Sequence, residues 1–139
     1  MSPSRDNPDW PLRRPTQEYV VAWLRRQPLP CVTFAKIEEV EAPPTNNSID
    51  AGDFFRIARN GKDRWALFLC PCGCSQVITL SLQRVHNPRW DVTVGKEGRP
   101  SLWPSVWRDV GCLSHFWIDD GRVYWCRNTG AFPEDLTSW

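Results

Sequence analysis

Three cysteines fall within five residues, Cys70-Pro71-Cys72-Gly73-Cys74, and a fourth lies in Gly111-Cys112-Leu113-Ser114-His115. No other feature of the chain limits its fold as much. Zinc prefers a tetrahedral set of thiolates and imidazoles, commonly offered as one knuckle plus a second part distant in sequence. Pro71 fixes φ and Gly73 admits backbone angles closed to other residues, so the knuckle can curl and turn several thiols inward. Gly111 allows the second half to bend up to the same point. The competing reading is a set of reduced core cysteines, but packing alone is a poor account of three thiols in five residues.

Two ligand sets compete for one structural Zn2+. The first is Cys70, Cys72, Cys74 and Cys112, which leaves His115 outside. The second is a Cys3His set of Cys112, His115 and two of the three knuckle cysteines. The four-cysteine set is preferred because it uses the whole knuckle, and it leaves no coordination position open for a catalytic role. Cys31 and Cys126 lie outside both halves and read as small buried hydrophobes.

The expected compartment agrees with metal-bound thiols. The first residues, Met1 to Asp9, show no apolar h-region, and no window reaches the length of an apolar membrane span. The expectation is a soluble cytoplasmic protein, where clustered cysteines bind metal rather than form disulfides. Seventeen Lys and Arg against sixteen Asp and Glu leave a formal charge of +1. Without a basic excess or stripe, neither nucleic acid nor a membrane is an expected partner.

Residues 1–15, with prolines at 3, 8, 11 and 15, read as a flexible arm; residues 16–139 read as a single zinc-binding β domain. Its opening stretch, residues 16–27, predicts a helix: Thr16 caps it, Val20, Trp23, Leu24 and Gln27 share a face, and Pro28 ends it. Beyond Pro30 the pattern is β. Strands are expected near residues 31–41, 53–59, 64–69, 76–82, 89–94, 99–103, 114–118 and 122–126, joined by turns such as Asn60-Gly61 and Asp119-Asp120-Gly121. The loop 42–48 separates the first two, and residues 128–139 read as irregular. The fold class is mainly β, a small antiparallel sandwich or partial barrel. Nine tryptophans would stabilise so thin a core.

Two histidines limit the chemistry. His86 precedes Asn87-Pro88 in a turn and reads as a surface residue. His115, if the cysteines satisfy the metal, becomes a candidate general base. It needs a hydroxyl within reach. Adjacent Ser114 points to the opposite face of a strand, whereas Ser101 and Ser105 lie in the proline-punctuated segment Arg99-Pro100-Ser101-Leu102-Trp103-Pro104-Ser105-Val106-Trp107. That segment reads as a loop leading toward Cys112. From the residues alone, each serine reads more simply as an ordinary turn or capping hydroxyl.

The order Leu69 to Cys74, Pro100 to Val106, Cys112-Leu113-Ser114-His115-Phe116-Trp117-Ile118 and Gly121-Arg122-Val123-Tyr124-Trp125 resembles a bacterial zinc-binding family. Long known as a domain of unknown function, it is encoded in ubiquitination-like (Bub-type) operons. The resemblance covers roughly residues 51–126. It implies as partners a ubiquitin-like protein and E1-like or E2-like enzymes, and a peptidase that processes or removes the modifier. It also maps shared motifs onto Cys70, Cys72, Cys74, Cys112, Ser101, Ser105, Ser114 and His115. The expected function is therefore a zinc-stabilised peptidase with a Ser/His site, Ser105 ahead of Ser101 as nucleophile. The alternative is a non-catalytic, zinc-ribbon-like adaptor for the modifier or its E2-like enzyme. A hydrolytic zinc enzyme ranks third, since it needs an open coordination position.

Overall fold

The computed structural model describes residues 33–108 and 112–126. The expected arm, the helix over 16–27, Cys31, Asp109, Gly111 and the tail from 128 lie outside them. Among the described residues eight strands form two sheets. The first holds β1 (Ile37–Val40), β2 (Phe54–Arg59), β3 (Lys62–Leu69) and β4 (Val77–Ser81), in that order. The second holds β5 (Asp91–Val94), β6 (Pro100–Trp107), β7 (His115–Asp119) and β8 (Arg122–Trp125), also in sequence order. No helix of the described residues is long and apolar enough to cross a membrane.

Alternation explains how each sheet presents two faces. On β2 and β3, Phe54 pairs with Phe68 and points inward, while its neighbour Phe55 pairs with Leu67 and points outward. Phe34, Phe54, Phe68, Leu102, Val106, Phe116 and Ile118 from both sheets are buried in one cluster. Phe68 meets Phe116 edge-on across the sheets at 6.3 Å, an arrangement the ring quadrupoles favour. A second, smaller cluster of Ile49, Phe55, Ile57 and Leu67 lies on the outer face of the first sheet.

The expected turns behave as their chemistry requires. Asn60 and Gly61 have φ of 54° and 73°, and Asp120 and Gly121 have 49° and 78°, the double positive φ of a tight hairpin. At Gly121 the restriction is also steric, since a Cβ there would stand 2.3 Å from the Phe34 carbonyl oxygen. That same turn receives the Phe34 N–H on the Gly121 carbonyl at 2.7 Å, tying the segment before β1 to the second sheet.

Two details depart from the sequence reading. β1 runs parallel to β2, because the long 41–53 connection returns the chain to the same end. The segment read as a loop after Trp103 is instead the second half of β6. Its prolines are compatible with a central strand because Pro100 opens it and Pro104 stands in a bulge. There the register jumps: Leu102 faces Ile118 and Val106 faces Phe116, so residues 103–105 lie opposite Trp117 alone.

Candidate metal centre and Ser–His site

Leu69 ends β3 and Val77 begins β4, with the knuckle closing the gap between them. The Cys70 N–H donates to the Gln76 carbonyl at 2.9 Å, and the Gly73 N–H to the Cys70 carbonyl at 3.2 Å. Gly73 takes a φ of +89°, where a side chain would strain the turn. The second half approaches from the other sheet. Leu113 sits at φ 55°, an unusual angle for a leucine, which lets Cys112 face the knuckle while Ser114 leads into β7.

The four sulfurs of Cys70, Cys72, Cys74 and Cys112 lie within 4.8 Å of one another and could hold a metal ion. Cys70 Sγ is 3.3 Å from Cys72 Sγ and 3.7 Å from Cys112 Sγ. Tetrahedral zinc with bonds of about 2.3 Å sets sulfurs about 3.8 Å apart, so the spacing suits it. The Ser114 hydroxyl donates to Cys112 Sγ at 3.2 Å, the kind of outer contact that orients a ligand. The Cys112 thiol is held far below its usual range because Cys70, then Cys72, donates to its sulfur. Cys70 is pushed up, first by that same bond to Cys112 and then by its bond with Cys72 and by burial. Burial also raises Cys74.

His115, three residues from Cys112, opens β7 and is 2 % exposed. Its Nε2 lies 2.8 Å from Ser105 Oγ. The pairing of Trp107 with His115 fixes this meeting, since Ser105 is two residues earlier on β6 and shares that face. The Trp107 ring stacks on the imidazole, with centroids 4.2 Å apart and planes 5° from parallel. On the other side the Trp90 indole donates to the Ser105 carbonyl at 3.2 Å. Ser105 itself stays partly open. Trp117, two residues beyond His115 on the same face of β7, is buried, and its indole N–H has no partner among the described residues. The sequence reading singled out none of Trp107, Trp117 and Trp90; alternation along β6 and β7 could have found the first two, and nothing local marks Trp90.

Ser101 occupies a different place. Its hydroxyl donates to Asp119 Oδ1 at 3.3 Å and accepts the Asp120 N–H at 2.8 Å, bracing the β7–β8 turn. Asp119 is four residues along β7 from His115, about 13 Å of strand. Asp120 pairs with Arg99, whose guanidinium holds the carboxyl below its ordinary range. Ser114 is fully buried against the cysteine cluster, and Cys126 is buried in the core.

Comparison with known proteins adds one match. A family model described as the bacterial ubiquitination-like system serine protease (BubE) matches residues 40–126. That span holds the second sheet, β2 to β4 of the first, all four clustered cysteines, Ser105 and His115. No curated protein and no solved structure matches the chain.

Proposed function

Because the chain belongs to this family of bacterial ubiquitination-like system serine proteases, we propose that Ser105 and His115 are its catalytic pair. The observation that carries the reading is the 2.8 Å contact between Ser105 Oγ and His115 Nε2. With the imidazole proton on Nδ1, Nε2 accepts the serine proton as Oγ attacks a peptide carbonyl. The imidazolium then returns that proton to the leaving amine. Water, deprotonated by the same nitrogen, releases the acyl group from Oγ.

Burial and the Trp107 stack hold the imidazole in one orientation, which lowers the cost of reaching the reactive geometry. An oxyanion also needs donors. The unspent indole N–H of Trp117 supports a role for it there. Ser101, engaged at the turn, is assigned to bracing, and Ser114 to orienting Cys112.

The four cysteines are assigned to one zinc. They fill its tetrahedral shell, so the ion supplies a cross-link between the β3–β4 connection and the start of β7. Cys112, Ser114 and His115 are nearly consecutive, and the cross-link therefore steadies the base.

The substrate class follows from the family's pathway: a ubiquitin-like modifier, cleaved at its carboxy-terminal tail or released from a target in the cytoplasm. An adaptor that only binds the modifier or an E1-like or E2-like enzyme is the second reading. It has no use for a buried imidazole aligned on a serine. Incubation with a ubiquitin-like protein from the same operon, extended by a carboxy-terminal peptide and followed by intact mass, separates them. Loss of the extension is expected. Binding without cleavage, unchanged in Ser105→Ala, would establish the adaptor instead.

A further inference from the structure

Along an antiparallel strand the backbone groups of successive residues point alternately to one neighbour and the other. On β6 the even positions face β7 and its turn. The Pro100 carbonyl accepts the Gly121 N–H at 2.7 Å, and beyond the strand the Arg108 N–H donates to the Ser114 carbonyl at 2.8 Å. The odd positions face β5, starting with the Arg99 carbonyl, which accepts the Gly95 N–H at 3.0 Å. Ser105 is odd, so its carbonyl points to the β5 side.

No β5 residue stands there to meet it. β5 begins only at Asp91, which pairs with Trp103. Continued by two residues, that register would set Arg89 against Ser105. The chain has instead turned toward the first sheet, where the Trp90 N–H donates to the Ser81 carbonyl at 2.8 Å. The Trp90 side chain fills the gap, and its indole N–H reaches the Ser105 carbonyl at 3.2 Å. The ring is itself held, half-buried against the core cluster, as is Val92 two residues on.

The bond matters because of where Ser105 stands. Residues 103–105 lie opposite Trp117 alone, so the nucleophile sits in the interrupted part of β6. A carbonyl left to tilt there would carry its Cα and Oγ with it, and the 2.8 Å approach to His115 Nε2 tolerates little displacement. We infer that Trp90 is a positioning residue for the nucleophile: its indole N–H stands in for the missing strand partner of Ser105 and fixes the bulge in the geometry that brings Oγ to His115. It acts through the Ser105 carbonyl, not through Oγ. It also ties the nucleophile to the end of β4. That anchor is the Ser81 carbonyl and is independent of the Ser81 hydroxyl. The inference rests on the assignment of Ser105 and His115 as the catalytic pair.

The test replaces Trp90 in the full, zinc-replete chain in two ways. One is Trp90→Phe; the other is benzothienylalanine, in which sulfur replaces the indole N–H with little change of shape. The readouts are the rate at which a fluorophosphonate labels Ser105, and kcat and KM on a ubiquitin-like protein extended by a carboxy-terminal peptide. Both replacements should lower the labelling rate and kcat about tenfold, with KM within about twofold and zinc content unchanged. Val92→Ala keeps the indole while loosening the same cluster, so it should lower Tm and leave kcat within about twofold. An equal fall of kcat in Val92→Ala would reduce the Trp90 effect to lost packing and overturn the inference. Labelling and kcat within about twofold of the unmodified protein in the benzothienylalanine chain would overturn it alone. Failure of Ser105 to label in the unmodified protein would overturn the catalytic reading, and the inference with it. If neither replacement folds, hydrogen exchange in the unmodified protein decides: the Trp90 indole N–H should exchange at least about tenfold more slowly than free indole, and equal rates would overturn the inference.

Discussion

Ser105 meets His115 in one sheet, and Ser81 meets His86 at the edge of the other, where Oγ and Nδ1 are 2.5 Å apart. By distance alone the second pair is the closer. Their surroundings differ in every other respect. His115 is buried in a strand and stacked against Trp107, while His86 is exposed in a turn, with only a tilted contact to Trp65 at 5.6 Å. Ser105 is partly open, so a substrate can reach it; Ser81 is 8 % exposed, and its hydroxyl accepts the Gln83 N–H, closing the turn after β4. A buried base beside an accessible nucleophile can act on a bound carbonyl. An exposed imidazole capping a buried hydroxyl is a turn device. A short serine–histidine contact is therefore insufficient to identify a site. The restraint on the base and the access to the nucleophile distinguish the two.

The comparison can be broken at the proposed metal site, which adjoins only one of the pairs. Structural zinc in small domains contributes on the order of 10 kcal/mol to folding. Cys72→Ser is expected to abolish metal binding and soluble folding, whereas Cys126→Ser should keep the zinc. Metal analysis of both purified proteins checks this, and a folded, active Cys72→Ser chain would remove the cross-link from the account.

Ser105→Ala should lower kcat by about 10³-fold or more, with zinc content and Tm unchanged. His115→Ala should match it and also keep its zinc, since the imidazole is not among the four proposed ligands. Loss of metal from His115→Ala would show the histidine to be a ligand and would remove the base.

A smaller effect tests the oxyanion. Trp117→Phe keeps a smaller aromatic ring and deletes the indole N–H, so kcat should fall about 10²-fold with little change in KM. An unchanged kcat would place the donors elsewhere.

The smallest effect is expected at the other pair. Ser81→Ala and His86→Ala should leave the peptidase rate within about twofold. Ser81→Ala should lose roughly 1 kcal/mol of stability, the net worth of an ordinary hydrogen bond, measurable by urea unfolding. A large rate effect there would reverse the comparison.

The cysteine cluster was legible in the sequence because three thiols in five residues have few uses, and because Gly73 follows from the backbone the knuckle needs. Asn60-Gly61 and Asp120-Gly121 announced their hairpins for a similar reason: few residues tolerate those angles. Ser105 was legible as a candidate but not as a strand residue. Pro100 and Pro104 resemble loop punctuation, and only the β7 partner shows that Pro104 stands where the ladder is interrupted. The parallel pairing of β1 and the Trp90 contact depend on segments distant in sequence. No local pattern encodes them. Ser101 shows the opposite case, a hydroxyl in a promising segment that the fold holds at a turn.

The most direct test of the central claim is covalent labelling with a fluorophosphonate probe, located by peptide mapping, because such probes report serines activated by a neighbouring base. One adduct per chain is expected, on Ser105. It should vanish in Ser105→Ala and His115→Ala and persist in Ser81→Ala and His86→Ala. An adduct on Ser81 or Ser101, or labelling of Ser105 that survives His115→Ala, would contradict the assignment of Ser105 and His115 as the catalytic pair.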